Sequence, residues 1–349
     1  MVVDKIATPV LRLIPESVHP NSISIFNHLL VWTLALCAVL SPHLGASGQA
    51  LALVAAGMLM FGSMLCDCLD GMQARRTGRC SKLGEMMDHW LDAIHVPLTS
   101  GPLAMALQLD PWALFAVHVS NCMVYNAQLV HYHHSRRFLT PPTSGVDAQF
   151  GVSFGYIGAA ALFFLVPRTN YLVDMGLSVA GAVALFVQLK LAYFYYKKMD
   201  RQQLLAHLRF VLLCSAFAAL YLTGAISALT FMLAVTFVSF RITGTYVLNT
   251  IVQRPFGGFD WGIAAFIVAI AGASLAIGGP MSIQGLRVAF LVEPISVGGY
   301  SLTLGAYVPY VPYLAFLYMV TRNLVDFSRH FSALRPGAAA APAETEKLA

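Results

Sequence analysis

The chain has 349 residues, of which 58% are hydrophobic and only 11% charged, and its mean hydropathy is +0.70. Soluble globular chains carry roughly 25% charged residues, so this composition excludes a soluble enzyme, a disordered chain and a nucleic-acid-binding domain. It requires an integral membrane protein of many spans, in which the net charge of +5 (21 Lys+Arg, 16 Asp+Glu) reports orientation rather than a nucleic-acid partner.

In chain order, residues 2–17 have the pattern of an amphipathic helix lying on the membrane surface, with Ile6, Val10, Leu11, Leu13 and Ile14 as its apolar part. The first 25 residues include Asp4, Lys5, Arg12, Pro15 and Glu16, and lack the continuous apolar core of a cleavable signal. Apolar windows follow at 25–40, 51–66, 90–107, 112–130, 152–166, 171–196, 210–224, 228–252, 262–277 and 307–320. A further stretch at 288–297 is broken by Glu293 and Pro294 and reads as a lumenal or re-entrant loop. About ten transmembrane helices put both termini on one side.

The basic residues agree with that count. With the termini inside, the inner segments hold Lys5, Arg12, Arg75, Arg76, Arg79, Lys82, Arg136, Arg137, Lys197, Lys198, Arg201, Arg209, Arg254, Arg322, Arg329, Arg335 and Lys347, leaving Arg168 and Arg287 outside. This is the distribution of the positive-inside rule. Asp174, Lys190 and Arg241 fall within spans, where bundle burial or snorkelling accounts for them as well as substrate contact does. The six cysteines (Cys37, Cys66, Cys68, Cys80, Cys122, Cys214) lack zinc spacing or a disulfide pattern. Cys66 and Cys68 read as small core residues at a helix end. Residues 336–349 form a low-complexity flexible tail.

One constellation carries chemistry. Five of the 16 acidic residues lie between positions 67 and 92: Asp67, Asp70, Glu85, Asp88 and Asp92. Asp67, Asp70 and Ala74 share one helical face, and Gly84, Asp88 and Asp92 share another. A loop containing Thr77, Gly78 and Ser81 is expected to fold the two helices back against each other, so that four carboxylates converge at the cytoplasmic end of a hairpin. Converging carboxylates repel and need a compensating cation; an all-oxygen set favours hard ions, Mg²⁺ or Mn²⁺. A pair of such ions suits displacement at phosphorus. Gly71 and Gly84 leave room for a diphosphate near the backbone, and Arg75 can neutralise its oxygens. Solvated helix-end charges are the plain alternative, and the spacing tells against it.

Asp67-Cys-Leu-Asp70-Gly71-Met-Gln-Ala74-Arg75, followed after eight residues by Gly84-Glu-Met-Met-Asp88-His-Trp-Leu-Asp92, resembles the CDP-alcohol phosphotransferase signature at all eight fixed positions. With residue usage near 6%, the chance of such a match is on the order of 10⁻⁷. The resemblance implies transfer of a substituted phosphate from a CDP-linked donor to an alcohol, releasing CMP. It implies a six-helix catalytic unit at residues 20–230, after a surface segment at 1–19 and before additional transmembrane helices at 231–321 and a cytoplasmic tail at 322–349. Asp67, Asp70, Asp88 and Asp92 would bind metal, with Asp92 also the candidate base. Gly71, Ala74, Arg75 and Gly84 would line the CDP site. Pro20-Asn21-Ser22-Ile23-Ser24 resembles the family's first-span motif, which assigns Asn21 to the nucleotide.

Gln73-Ala74-Arg75-Arg76-Thr77 and Leu83-Gly84-Glu85-x-x-Asp88-His89 are similar to the choline/ethanolaminephosphotransferases. That implies CDP-ethanolamine or CDP-choline as donor, diacylglycerol as acceptor, a homodimer, and an endoplasmic-reticulum or bacterial inner membrane. Glu85 and His89 are then rival or cooperating proton carriers, although His89 equally suits a helix-end histidine bonded to Asp88. That subgroup's Glu-Tyr-His and Glu-Gly motifs are not matched by His131-Tyr132-His133-His134-Ser135-Arg136-Arg137 or Gly145-Val146-Asp147-Ala148. The histidine run reads as interfacial, without a matching ligand set. A CDP-diacylglycerol donor with a small polar alcohol, or a ceramide-like acceptor, are the alternatives. A cation transporter is the remote one, disfavoured by the helix-end placement and the lack of a repeat.

Overall fold

A computed structural model describes residues 2–135, 145–165, 171–222, 226–252, 295–297, 300–302 and 311–334. Among the described residues there are ten α-helices: α1 (Val2–Leu13), α2 (Pro20–Leu40), α3 (Ala46–Thr77), α4 (Lys82–Ala106), α5 (Pro111–Ser135), α6 (Gly145–Leu165), α7 (Tyr171–Tyr196), α8 (Arg201–Leu222), α9 (Ala228–Ile251) and α10 (Val311–Leu334). Two three-residue strands, Ile295–Val297 and Tyr300–Leu302, pair antiparallel with Ser296 opposite Ser301. The first of them closes the stretch read as a re-entrant loop. The window at 262–277 lies outside the described residues.

The protein is an all-α, multi-pass membrane protein. Among the described residues, five helical segments are long and apolar enough to cross a bilayer: Pro20–His43, Ala46–Thr77, Met175–Tyr196, Arg201–Leu222 and Ala228–Ile251. Large apolar side chains stand exposed along their outer faces, among them Ile25, Leu29 and Leu36 on α2 and Val179, Val183 and Phe186 on α7. Such a surface is stable only against lipid or a partner. Helix α4 falls outside this set: its first three turns carry Glu85, Asp88 and Asp92, and the rest carries His95, Pro97, Thr99, Ser100 and Pro102.

Helix α2 is the structural hub. Its Val31, Leu34, Ala35 and Ala38 are buried in one cluster with Leu53, Ala56 and Met60 of α3, Ile94 and Leu98 of α4, and Tyr156 and Phe163 of α6. Helices α3 and α4, in contrast, make few direct contacts. The two helices of the hairpin face each other through side chains, Asp67 of α3 toward Asp88 and Asp92 of α4, while α2 packs against both and supplies the apolar contacts that hold them.

The surface helix is held down at both levels. Ala7 and Leu11 of α1 are buried with Ile23 and Leu69. Gln73 donates to the carbonyls of Pro15 and Val18, and Arg76 donates to those of Leu11 and Ile14. Behind α4, α9 packs against α4, α5, α8 and α10. Arg241 of α9 reaches Asp326 of α10 at 2.6 Å, with both side chains largely buried. Lys190, by contrast, is exposed and lies over the Phe186 ring. The six cysteines are all free.

Candidate active site

The last turns of α3 and the first of α4 form the site, and the turn between them is locally encoded. Gly78 caps α3 at φ 65°, a left-handed backbone that glycine adopts without steric cost. Ser81 caps α4 by accepting from the Gly84 N–H at 3.0 Å, which satisfies one of the helix's free amides. From there Glu85, Asp88, His89 and Asp92 follow at helical spacing.

Three of the four aspartates converge. Asp67, Asp88 and Asp92 each offer an oxygen within 4.8 Å of the others, and all three are half-buried. Asp70 lies outside this 4.8 Å group but near enough for its charge to act on all three: it is one turn nearer Gly78, buried, and accepts a 2.6 Å hydrogen bond from Ser24 of α2. A second bond, Ser63 to Asn27 at 2.6 Å, joins the same two helices deeper in the bundle. Gln149 lies within hydrogen-bonding range of Asp67. The Tyr125 hydroxyl reaches the His89 carbonyl at 3.3 Å and is also in range of Asp92. His95 Nδ1 is 3.1 Å from Asp92 Oδ1. Three carboxylates this close repel one another, which a bound proton or cation relieves, and an all-oxygen donor set fits a hard divalent ion.

Four of the five residues expected at the nucleotide fall into two pairs. A Cβ on Gly71 would lie 3.3 Å from the Arg75 guanidinium, so Arg75 folds back over Gly71. A Cβ on Gly84 would lie 3.4 Å from Asn21 Oδ1, so the starts of α2 and α4 meet there. Ala74 is half-buried on α3, and its carbonyl accepts from the Arg79 N–H at 2.9 Å. Gln73 and Arg76, which share that motif, are taken up by the end of α1 and the segment that follows it.

A second group sits beside the first. Glu85, His89 and His133 bring ligand-type atoms within 4.8 Å of one another, and His89 Nδ1 is 3.0 Å from His133 Nε2. His89 is thus bonded to a neighbouring helix. The interfacial reading of the histidine run is corrected for His133, which is 1% exposed and stands with the acidic face of α4. His131 bonds Ser135 within α5, and His134 pairs with Asp200 at 3.0 Å. His95, Tyr125, His133 and Gln149 went unrecognised in the sequence. The spacing Asp92-x-x-His95 was the one local signal; the other three reach the site only by helix packing.

Residues 17–187 match the family model described as CDP-alcohol phosphatidyltransferase. The chain is similar to a CDP-diacylglycerol–serine O-phosphatidyltransferase of Encephalitozoon cuniculi, 39% identical over 160 residues that make up 45% of this chain and 41% of the relative. It is similar to cholinephosphotransferase 1 of Rattus norvegicus, 32% identical over 133 residues, 36% of this chain and 32% of the relative. Choline/ethanolaminephosphotransferase 1 of Arabidopsis thaliana is 33% identical over 150 residues, 41% of this chain and 38% of the relative. The chain spans less than half the length of each of these proteins.

Proposed function

Because the chain belongs to the CDP-alcohol phosphatidyltransferase family through residues 17–187, we propose that it transfers phosphoethanolamine or phosphocholine from a CDP-amino alcohol to a lipid hydroxyl, most simply that of diacylglycerol. The observation that carries this reading is the convergence of Asp67, Asp88 and Asp92, with Gly71 one turn along α3 from Asp67 and Gly84 one turn along α4 from Asp88.

In this reading Asp67, Asp88 and Asp92, with Asp70 completing the set, hold Mg²⁺ or Mn²⁺. When bound, such ions offset the charge of the donor diphosphate and of the leaving CMP. Asn21, Gly71, Ala74, Arg75 and Gly84 receive the cytidine diphosphate, Arg75 as a charge partner for its oxygens. The acceptor hydroxyl enters from the bilayer and gives its proton to Asp92 or to the Glu85–His89 pair. Its oxygen attacks the phosphorus that bears the amino alcohol. The bond to the bridging oxygen breaks, and CMP leaves with that electron pair. The same reading keeps the site and both termini cytoplasmic, in a ten-span topology, and the protein a homodimer.

The similarity to the Encephalitozoon cuniculi protein supports a second reading, with CDP-diacylglycerol as donor and a small polar alcohol as acceptor. CMP release by the purified protein with Mg²⁺ or Mn²⁺ separates the two. Release that requires CDP-ethanolamine or CDP-choline together with diacylglycerol is the expected result. Release only with CDP-diacylglycerol and a polar alcohol would keep the site and overturn the substrate.

A further inference from the structure

A line of three hydrogen bonds runs from the lipid-facing side of α2 to the carboxylate trio. Trp32 Nε1 is 2.9 Å from His28 Nε2, His28 Nδ1 is 2.9 Å from His95 Nε2, and His95 Nδ1 is 3.1 Å from Asp92 Oδ1. The two imidazole rings lie with 5.1 Å between centroids and 29° between planes. His95 is buried, whereas Trp32 is exposed on the outer face of α2.

The chemistry of the two ends sets the direction of the whole line. An indole N–H can only donate, so His28 Nε2 must be the bare nitrogen and His28 Nδ1 carries the hydrogen. His28 Nδ1 then donates to His95 Nε2, and His95 Nδ1 carries the hydrogen that goes to Asp92. Read from the other end, an ionised carboxylate only accepts, which demands the same hydrogen on His95 Nδ1. Donor-only and acceptor-only termini thus impose one and the same tautomer on both histidines.

We propose that His95, His28 and Trp32 are positioning residues for Asp92. The line engages Oδ1 and fixes the carboxylate rotamer, leaving the second oxygen to the divalent ion that the trio is suited to hold. Hydrogen-bond partners that orient a metal-ligating side chain typically contribute 10–100-fold in affinity or activity. The contribution falls along the line, because each successive residue acts only by holding the next. The inference rests on the reading of Asp92 as a ligand in a CDP-alcohol transferase.

The test is Mn²⁺ titration of the purified full-length protein by electron paramagnetic resonance, together with steady-state CMP release and thermal unfolding in detergent. His95→Leu is expected to weaken Mn²⁺ binding and lower kcat by about 10–100-fold, with a much smaller change in KM for the CDP donor. His95→Asn places an amide N–H where Nδ1 was and is expected to recover most of both. His28→Leu falls between wild type and His95→Leu. Trp32→Phe, a change at an exposed position, costs roughly 3-fold, the weakest effect on the line. Equal losses in His95→Asn and His95→Leu, or wild-type Mn²⁺ affinity in His95→Leu, would overturn the proposal. So would a wild-type protein that binds no Mn²⁺. A protein that releases no CMP from any donor, yet loses Mn²⁺ affinity in His95→Leu and regains it in His95→Asn, upholds the positioning line and overturns the reaction alone.

Discussion

On one side of α4, Asp88 and Asp92 stand half-buried opposite Asp67 of α3. On the opposite side, Met86 and Trp90 are sealed against Leu129 of α5, Val247, Leu248 and Ile251 of α9, and Leu334 of α10. Trp90 stacks on Phe240 with 5.0 Å between ring centroids. Gly244 is the reason this fits, since a Cβ there would overlap the Trp90 indole. The first side is polar, open and electrostatically strained; the second is apolar and closed. An aspartate has too few torsions to search for a ligand, so the backbone must be held where the carboxylate is needed. The packed side of α4 supplies that rigidity, and the polar side spends it on charge that packing alone would not tolerate.

The contrast predicts that substitutions on the two sides separate activity from stability. The largest expected effect is on the polar side. Asp67→Ala or Asp88→Ala is expected to lower CMP release by roughly 10³-fold or more, several kcal/mol of barrier, while relieving like-charge repulsion and leaving the unfolding temperature unchanged or raised. Substantial turnover in either folded variant would remove the site from this face.

On the packed side the order of effects is inverted. Arg241→Met leaves Asp326 unpaired in the bundle and is expected to cost about 3–5 kcal/mol of stability. Arg241→Met combined with Asp326→Leu is expected to recover most of that loss. A double variant as unstable as the single one would show that the α9–α10 ion pair is not what holds these helices. Gly244→Val is the smallest of the three, at about 1–3 kcal/mol for overpacking against Trp90. It should be partly relieved by Trp90→Leu, measured as non-additive unfolding shifts. If Gly244→Val and Asp88→Ala reduced activity equally with no change in stability, the division of labour between the two sides would fail.

Much of this could be read along the chain because it is local. An apolar window near 20 residues makes a helix wherever it is placed in lipid, and the described helices follow the expected windows. Gly78 and Ser81 specify their own turn, and i, i+4 spacing puts Asp88 and Asp92 on one face. The rest depends on partners far away in sequence. Asp70 has the spacing of a fourth ligand, and only packing shows that one of its two oxygens accepts from Ser24, 46 residues away. His133 belongs to a polar run at a helix end, and only the seating of α5 against α4 brings it to His89. Arg241 shows no partner until α10 supplies Asp326, 85 residues on.

The sequence by itself determined that the chain lives in a membrane, where its helices run, and which carboxylates share a helical face, since composition and periodicity are properties of short stretches. The tertiary structure alone decided that α2 packs against both α3 and α4, that three aspartates instead of four form the compact trio, and that a line of histidines ends on Asp92. Helical periodicity says which residues share a face. Which helix comes to cover that face is settled by many small apolar contacts and a few buried polar ones, summed over the whole bundle.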